Sequence, residues 1–412
     1  MIYDVLIAGG GASGLIAACD LARRGRRVAL LEKQDRVGRK LLSTGNGRCN
    51  LTNLRARAAD YHGARQAAQA ALKAWPPGRI VKYFESIGLF CDADEAGRVY
   101  PMSRQAASVL DALRLFCDEN GVEVLTGFAV AKLARGPEGF RAESADGRAA
   151  AAKTALVCCG GLAAPKLGAC GDGYRLLEGF GHRIEPRFPA VAALKTPPEA
   201  VRGLKGIRAE GKIALVRRND VVRSESGEIL FAEYGVSGIA AMQLARAANE
   251  LLNRGERCGV VLSFVPDWER PDLALVARAK EMPKRKMEDF LTGILPKRLG
   301  QSLVKSAGIA LDAAAGSLGR ADCDRLAARL AGWSLPVTGT QGFDQAQVTA
   351  GGASMKDFDV RTMQSLRAPG LFAAGEVLDV DGDCGGFNLQ WAWSSALMAA
   401  ESIEARLSGA ND

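Results

Sequence analysis

The sequence predicts an α/β protein: a Rossmann-like domain built from both ends of the chain and interrupted by an inserted β-rich segment and a helical one. Three observations carry this. A strand, a glycine cluster and a helix follow one another over residues 2–25, a second strand ends on a glycine motif at 370–379, and the stretch between them alternates with period two before turning charged and helical. At 412 residues and 48% hydrophobic the chain is too long for one core and too apolar for disorder, so two or three packed domains are expected. Its 48 glycines imply many tight turns, which suits a nucleotide-binding α/β protein better than a helical bundle.

Taken in order, IYDVLIA (2–8) reads as a buried parallel strand, Leu15 to Arg24 as a helix that Gly25 stops, and RRVALLEK as the next strand, together one βαβ unit. Residues 64–90 are helical in pattern. GRVYPMS (97–103) reads as a hairpin or loop ahead of a helix from Gln105 to Asn120, followed by several short strands with turn signals. The strand Ala155 to Cys159 ends on Gly160 and Gly161. Residues 191–268 alternate strands with Asn-Asp and Ser-Gly turns and form the β-rich insertion; 269–335 form a helical subdomain whose charge run at 284–286 is a solvated face. The stretches 1–190 and 336–412 then make one discontinuous domain, closed by a helix from Leu389 to Leu407.

Composition narrows the function classes. The ten cysteines are scattered, and Cys158 and Cys159 adjoin within an apolar strand, the usage of small buried hydrophobes in a reducing, cytoplasmic setting. With no C-x-x-C pair and only His62 and His182 as histidines, neither a metal site nor a Ser-His-Asp triad is expected. No leader pattern and no apolar run of the roughly 20 residues a bilayer demands is present, so a soluble protein is expected. The net charge of +8 fits a polyanionic partner such as RNA or an arginine-rich codon preference; on charge alone the second is favoured, without excluding nucleic acid.

Gly9, Gly11 and Gly14 form G-x-G-x-x-G between a strand and a helix, and Glu32 ends the next strand. The glycines give a tight turn, close backbone approach to a pyrophosphate and close helix packing, while the acid accepts from the adenosine ribose hydroxyls. FAD rather than NAD follows from the other end of the chain. In GLFAAGEVLD (370–379) a strand ends on Gly375, and Glu376 can bind a ribityl chain. Gly385, Gly386 and Asn388 open a helix whose first N–H groups point at the flavin N1 and C2 carbonyl, stabilising the anionic reduced ring. A helix cap without a ligand is the alternative reading of that glycine pair.

Ser43, Thr44, Gly45, Asn46 and Gly47 make a small-residue loop that can approach a flat ring. Arg48 then offers a cation for a substrate carbonyl, for the flavin pyrimidine edge, or for a carboxylate such as Glu376. Cys49 is a candidate general acid or nucleophile, although no adjacent His or Lys lowers its pKa. Tyr100 is a candidate proton donor and Arg98 an anion contact, unless both pack a loop; Trp391 and Trp393 fit the core.

The segments VGRKLLSTGNGRCNLTN (37–53), GRVYPMS, LVCCGG, GDGY (171–174), VTAGG (348–352) and FNLQWAWSSA together resemble the BaiN/RdsA family of NAD(P)/FAD-dependent oxidoreductases. The resemblance spans both chain ends and implies a Rossmann-like FAD-binding domain of the glutathione-reductase type, with the insertion divided into β-rich and helical parts. It implies FAD contacts at Gly9, Gly11, Ala12, Ser13, Gly14, Glu32, Lys33, Gly38, Lys40, Leu41, Ser43, Gly45, Asn46, Val130 (on adenine), Gly160, Gly161, Gly375, Glu376, Gly385, Gly386, Asn388 and Leu389. Members of the family are associated with reduction of uracil in ribosomal RNA to dihydrouridine, reduction of steroid-like enones, and amine oxidation.

No second G-x-G-x-x-G follows a strand, so a separate nicotinamide domain is absent and NAD(P)H is expected to dock transiently over the flavin with ping-pong kinetics. Three functions stay open at this point: reduction of a conjugated C=C in RNA or in a small enone, a flavin amine oxidase producing hydrogen peroxide, and a non-catalytic flavin-bound RNA-associated factor.

Overall fold

The computed structural model describes residues 2–218 and 220–409. Asn219, one half of the Asn-Asp turn, lies outside the described residues. The chain divides into two compact units, Met1–Phe188 with Gln347–Asp412, and Pro189–Ala346.

In the first unit β1 (Ile2–Ala8) buries its last five residues in succession, as a strand covered on both faces must. Helix α1 (Ala12–Arg23) follows, then the fully buried β2 (Val28–Leu31) and the short α2 (Arg39–Ser43). Next come β3 (Thr52–Asn53), β4 (Tyr61–Gly63), α3 (Arg65–Ala74), α4 (Pro77–Glu85), β5 (Cys91–Ala93), β6 (Arg98–Pro101) and α5 (Ala106–Glu119). The strands β7 (Glu123–Leu125), β8 (Val130–Gly136), β9 (Gly139–Ser144) and β10 (Ala149–Val157) lead to α6 (Asp172–Glu178). Strand β11 (Phe188–Ala190) marks the boundary of the two units.

The second unit holds β12 (Leu194–Lys195), β13 (Arg208–Arg217), β14 (Asp220–Ala232), β15 (Gly235–Ser237), α7 (Ile239–Gln243), α8 (Ala245–Asn253) and β16 (Cys258–Ser263). Helices α9 (Pro271–Glu281), α10 (Lys297–Ser306) and α11 (Arg320–Ala331) precede β17 (Trp333–Val337) and β18 (Gly339–Thr340). Its sheet runs β17-β16-β13-β14-β15-β12-β18. The insertion therefore runs past the boundary expected at 335 and ends at Ala346. After the helical segment the chain returns to the same sheet, where Trp333–Val337 pairs with Cys258–Ser263 and buries alternate residues. The β-rich and helical segments are one unit.

Back in the first unit, β19 (Val348–Ala350), β20 (Leu371–Ala373) and β21 (Val380–Gly382) lead into α12 (Phe387–Leu407). The main sheet is ordered β7-β2-β1-β10-β9-β8, with β20 also on β10. Strand β10 pairs with β1 along one edge and is shared by two strands along the other: Ala149–Ala152 pairs antiparallel with β9, and Ala155–Val157 pairs parallel with β20. This is how the last part of the chain joins the sheet that the first part began. Helix α12 buries Gln390 through Ala400 and packs against α1. Among the described residues no helix is long and apolar enough to cross a membrane.

The far end of α12 is tied back to the start of the domain. Arg26, just after α1, donates from Nε and Nη2 to the two carboxylate oxygens of Glu404 at 2.7 and 2.6 Å. The Arg26 guanidinium holds the Glu404 carboxyl down at about 2. Because this is below its unfolded value, the contribution to stability is present at neutral pH and is lost as pH falls from about 5 towards 2. Glu404→Gln is accordingly expected to cost about 1 kcal/mol at pH 7. In thermal melts the gap to wild type should close on acidification; a gap that stays constant with pH would show that the ion pair contributes nothing.

Candidate functional site

The glycine turn after β1 separates three physical jobs. A Cβ on Gly9 would lie 2.4 Å from the Cys158 carbonyl oxygen, and Gly9 holds φ at +108°, so only glycine fits. A Cβ on Gly14 would stand 1.9 Å from the Gly9 carbonyl oxygen, which lets α1 sit directly on the turn. Gly11 differs from both. It is the N-cap of α1 with ordinary extended backbone, no side-chain cap bond, and nothing within 4 Å of a built Cβ. A helix N-terminus with free amides and open space before it is an anion cradle at the carboxyl end of a parallel strand.

The acid after β2 flanks that cradle. Glu32 accepts from the Gly10 and Gln34 backbone N–H groups, both at 2.8 Å, which fixes its carboxylate at the turn. Beside it Lys33 pairs with Asp172 at 2.7 Å and contacts the Cys170 sulfur. The Val130 carbonyl accepts from Arg175 at 3.1 Å. Gly38 starts α2 in the left-handed region against Leu110, and Leu41 packs in the core.

The second cradle forms where β20 ends. Gly375 holds φ at +79°, and its Cβ would meet Ser13 Oγ at 2.6 Å, so this turn rests on the first turn of α1. Trp391 Nε1 donates to the Gly375 carbonyl at 3.0 Å, which sets the opening turns of α12 at the same end of the sheet. The Gly386 N-cap supplies no side chain to the α12 amides, and its Cβ would lie 2.6 Å from the Thr52 carbonyl. Asn388 spends its side chain on the preceding loop, accepting from Gly382 N–H at 2.8 Å and donating to the Gly382 carbonyl at 2.7 Å. What this turn can offer a ligand is backbone N–H, from Phe387, Asn388 and the half-buried Leu389.

Between the two cradles Lys40 donates to Glu376 at 2.6 Å, and the other oxygen of Glu376 accepts from Thr349 N–H at 2.9 Å. Thr349 Oγ1 accepts in turn from the Leu162 and Ala163 N–H groups at 2.8 and 2.9 Å, beside Gly161, whose Cβ would clash with that hydroxyl. Gly160, by contrast, has open space beyond its Cα. Within VTAGG no local signal marks Thr349 as the strut of the 161–163 turn.

The loop after α2 is a left-handed turn. Gly45, Asn46 and Gly47 have φ of +56°, +54° and +81°, and Cys49 has +55°. Left-handed non-glycine residues are sparsely populated and collect where function constrains the backbone. The Ser43 hydroxyl turns back to the Lys40 carbonyl, and residues 45–48 are exposed. Among the described residues Arg48 makes no ion pair; Glu376 is taken by Lys40. Cys49, by contrast, is wholly buried and its thiol is pushed up to about 12 by burial, a placement that suits packing rather than a nucleophile. Tyr100 is half-buried on β6, with the Arg104 guanidinium 5.1 Å over its ring and, among the described residues, no hydrogen bond from its hydroxyl; Arg98 pairs with Asp94 at 2.7 Å. Trp391 and Trp393 are core residues.

One further group was not legible in the sequence. His62 Nε2 lies 2.9 Å from Asp383 Oδ1, across 321 positions, because β4 pairs with β21 and so brings the two loops together. His182 is structural: it is buried between the Leu177 carbonyl and Ser365 Oγ and stacked on Phe358.

These residues fit FAD. Two helix N-termini lack side-chain caps, a feature that suits a pyrophosphate and a ring edge, and Gly11 and Gly160 each have open space where a Cβ would stand. Beside Gly386 the side-chain oxygen of Asn50 is buried without a hydrogen-bond partner, an acceptor waiting for a donor.

The family described as the HI0933-like protein Rossmann domain matches residues 3–402. A 3-dehydro-bile acid delta(4,6)-reductase of Clostridium scindens is 36% identical over 97% of this chain and 98% of its own. A ribosomal RNA dihydrouridine synthase of Escherichia coli is 29% identical over the same shares. Among solved structures, a 3-ketosteroid delta1-dehydrogenase of Sterolibacterium denitrificans has a TM-score of 0.55 and covers 98% of this chain and 100% of its own, but at 15% identity the likeness is one of fold.

The glycines give a sharp test. Gly11→Val is expected to leave the melting temperature of the apoprotein unchanged and to weaken FAD binding at least tenfold, since its side chain enters the cradle; Gly14→Ala is expected to unfold the domain. Thermal melts with FAD titration measure both. Full FAD affinity in Gly11→Val would place the pyrophosphate elsewhere.

Proposed function

The chain belongs to the HI0933-like Rossmann-domain family, and from that premise we propose that it reduces a carbon–carbon double bond conjugated to a carbonyl, with NAD(P)H as the source of electrons. The observation that carries this reading is the 36% identity across nearly the whole chain to a named delta(4,6)-reductase, joined to the two open cradles of the first unit. A delta-4,6 enone and a uracil ring share the same acceptor, C=C–C=O, so the second relative supports the same chemistry on a different molecule. When bound, FAD supplies hydride to the carbon β to that carbonyl and accepts hydride from reduced nicotinamide.

The protein's own part is to hold and polarise. The backbone N–H groups of Phe387, Asn388 and Leu389 favour negative charge at the ring edge. Arg48, exposed at the tip of the left-handed loop and without an ion-pair partner among the described residues, is the cation for the substrate carbonyl oxygen, where negative charge develops as the double bond is lost. The hydroxyl of Tyr100 and the imidazole of His62 are the groups within these segments that can carry a proton. Cys49 has no part in the reaction under this reading. Ten cysteines with no disulfide among the described residues support a reducing, cytoplasmic setting.

The test is anaerobic mixing of the FAD-replete protein with NADPH, followed by addition of air, a 3-oxo-4-ene steroid, or ribosomal RNA from cells lacking the protein. Bleaching by NADPH and rapid recovery of colour with the steroid or the RNA, but not with air, is the expected result, and the acceptor that works names the substrate class. A flavin that NADPH leaves oxidised, but that small amines bleach and air restores with peroxide, would replace this reading with an amine oxidase. Arg48→Ala should slow recovery of colour by about a hundredfold while leaving bleaching within about threefold. Cys49→Ala should alter neither step by more than about threefold and should lower the melting temperature, as removal of a buried side chain does.

A further inference from the structure

We propose that His62, oriented by Asp383, is the proton donor of this reaction, an inference that rests on the double-bond reading above. Its place in the fold is the argument. Strand β4 carries His62 and pairs with β21, with Asp381 opposite His62 in the ladder. The Asp383 that follows donates its backbone N–H to the Asp60 carbonyl at 3.1 Å and stands three residues before the Gly386 cap of α12. Tyr61, the neighbour of His62, donates its hydroxyl to the Phe387 carbonyl in the first turn of that helix at 3.0 Å. The histidine is thereby built into the same wall as the α12 amides. That wall also includes Thr52 and Asn50, which pack on Gly386 and continue the Arg48 loop.

The chemistry of the pair suits the task. Nε2 is held by the carboxylate at 2.9 Å, and both side chains are about one-fifth exposed, reachable by a ligand yet partly shielded from water. Nδ1 has no hydrogen-bond partner among the described residues. With the carboxylate on Nε2, Nδ1 is the ring nitrogen left to pass a proton to a substrate. Tyr100 has no such carboxylate on its hydroxyl among the described residues. The balance is simple. Hydride forms the new C–H bond at the β carbon, the C=C π pair becomes an enolate, and the α carbon takes the Nδ1 proton. Neutral imidazole remains and is reprotonated by solvent. Asp383 is a positioning residue. The other charged groups on the elements around His62 are Asp60 with its partner Arg57, Arg65 of α3, Asp379 before β21 and Asp381 within it.

Two measurements test this. The chain has only two histidines, so protein labelled with ¹³C-histidine shows two imidazole Cε1–H resonances, assigned with His62→Gln. Adding FAD to the apoprotein, and then reducing it with dithionite, should move the His62 resonance and leave that of the buried His182 in place. In the FAD-replete protein, His62→Gln should leave bleaching by reductant within about threefold but slow recovery of colour with the working acceptor by about a hundredfold or more, and abolish the pH dependence of that step. Asp383→Asn, which keeps the imidazole but loses its carboxylate, should slow the same step by about tenfold and shift its pH profile. A His62 resonance that ignores FAD, or a wild-type rate in His62→Gln, overturns the proposal while leaving the double-bond reading intact. A wild-type protein that no unsaturated carbonyl reoxidises removes both.

Discussion

Everything in the candidate site depends on three close backbone approaches. Gly14 against the Gly9 carbonyl seats α1 on the end of β1, Gly9 against the Cys158 carbonyl seats that turn on β10, and Gly375 against Ser13 seats the return of the chain on α1. Each excludes a single methyl group. Together they set two helix N-termini at the carboxyl ends of β1 and β20, on a sheet where β10 joins strands from both ends of the chain. The buried Trp391 indole, donating to the Gly375 carbonyl, completes the same contact from the side of α12.

What such an arrangement gains is electrostatic. The amides of α1 and α12 are left without side-chain caps, and interior amides left unpaired are costly, so these helices are built to be completed by a ligand that accepts hydrogen bonds. The charged side chains nearby are instead mutually satisfied: Lys40 with Glu376, Lys33 with Asp172, Glu32 with two backbone N–H groups. Arg48 stands apart from that pattern. It sits on a loop held in the left-handed region through Gly45, Asn46 and Gly47, with its charge directed to no carboxylate among the described residues. A cation displayed on a constrained loop is available for charge that appears only during a reaction.

The sequence made the local parts of this legible and hid the distant ones. The βαβ unit, the glycine turn and the α12 cap are each written within a few consecutive residues, where periodicity and glycine spacing report directly on backbone conformation. The end of the insertion was misjudged because Trp333–Val337 looks like any short strand, and only its pairing with Cys258–Ser263 assigns it to the second unit rather than the first. Thr349 and the His62–Asp383 pair were missed for the same reason: their roles exist only through partners more than a hundred residues away. Cys49 misled in the other direction, since a cysteine beside an arginine in a glycine-rich motif suggests chemistry, whereas its side chain points into the core.

The site also bears on how one family can hold relatives named for a bile-acid enone and for ribosomal RNA. On the proposed reading, the elements that act on the acceptor lie in three short segments of the first unit, 43–53, 60–63 and 380–389, and they answer only to a carbonyl oxygen, an α carbon and a β carbon. Those three atoms are common to a steroid enone and to uracil. Changing the substrate then requires changing what surrounds the acceptor, not the cation, the proton donor or the helix amides, and this leaves the three segments free to stay constant while specificity drifts. On that reading the reaction class belongs to the first unit, whereas the identity of the molecule that carries the double bond is a property of the surfaces around it.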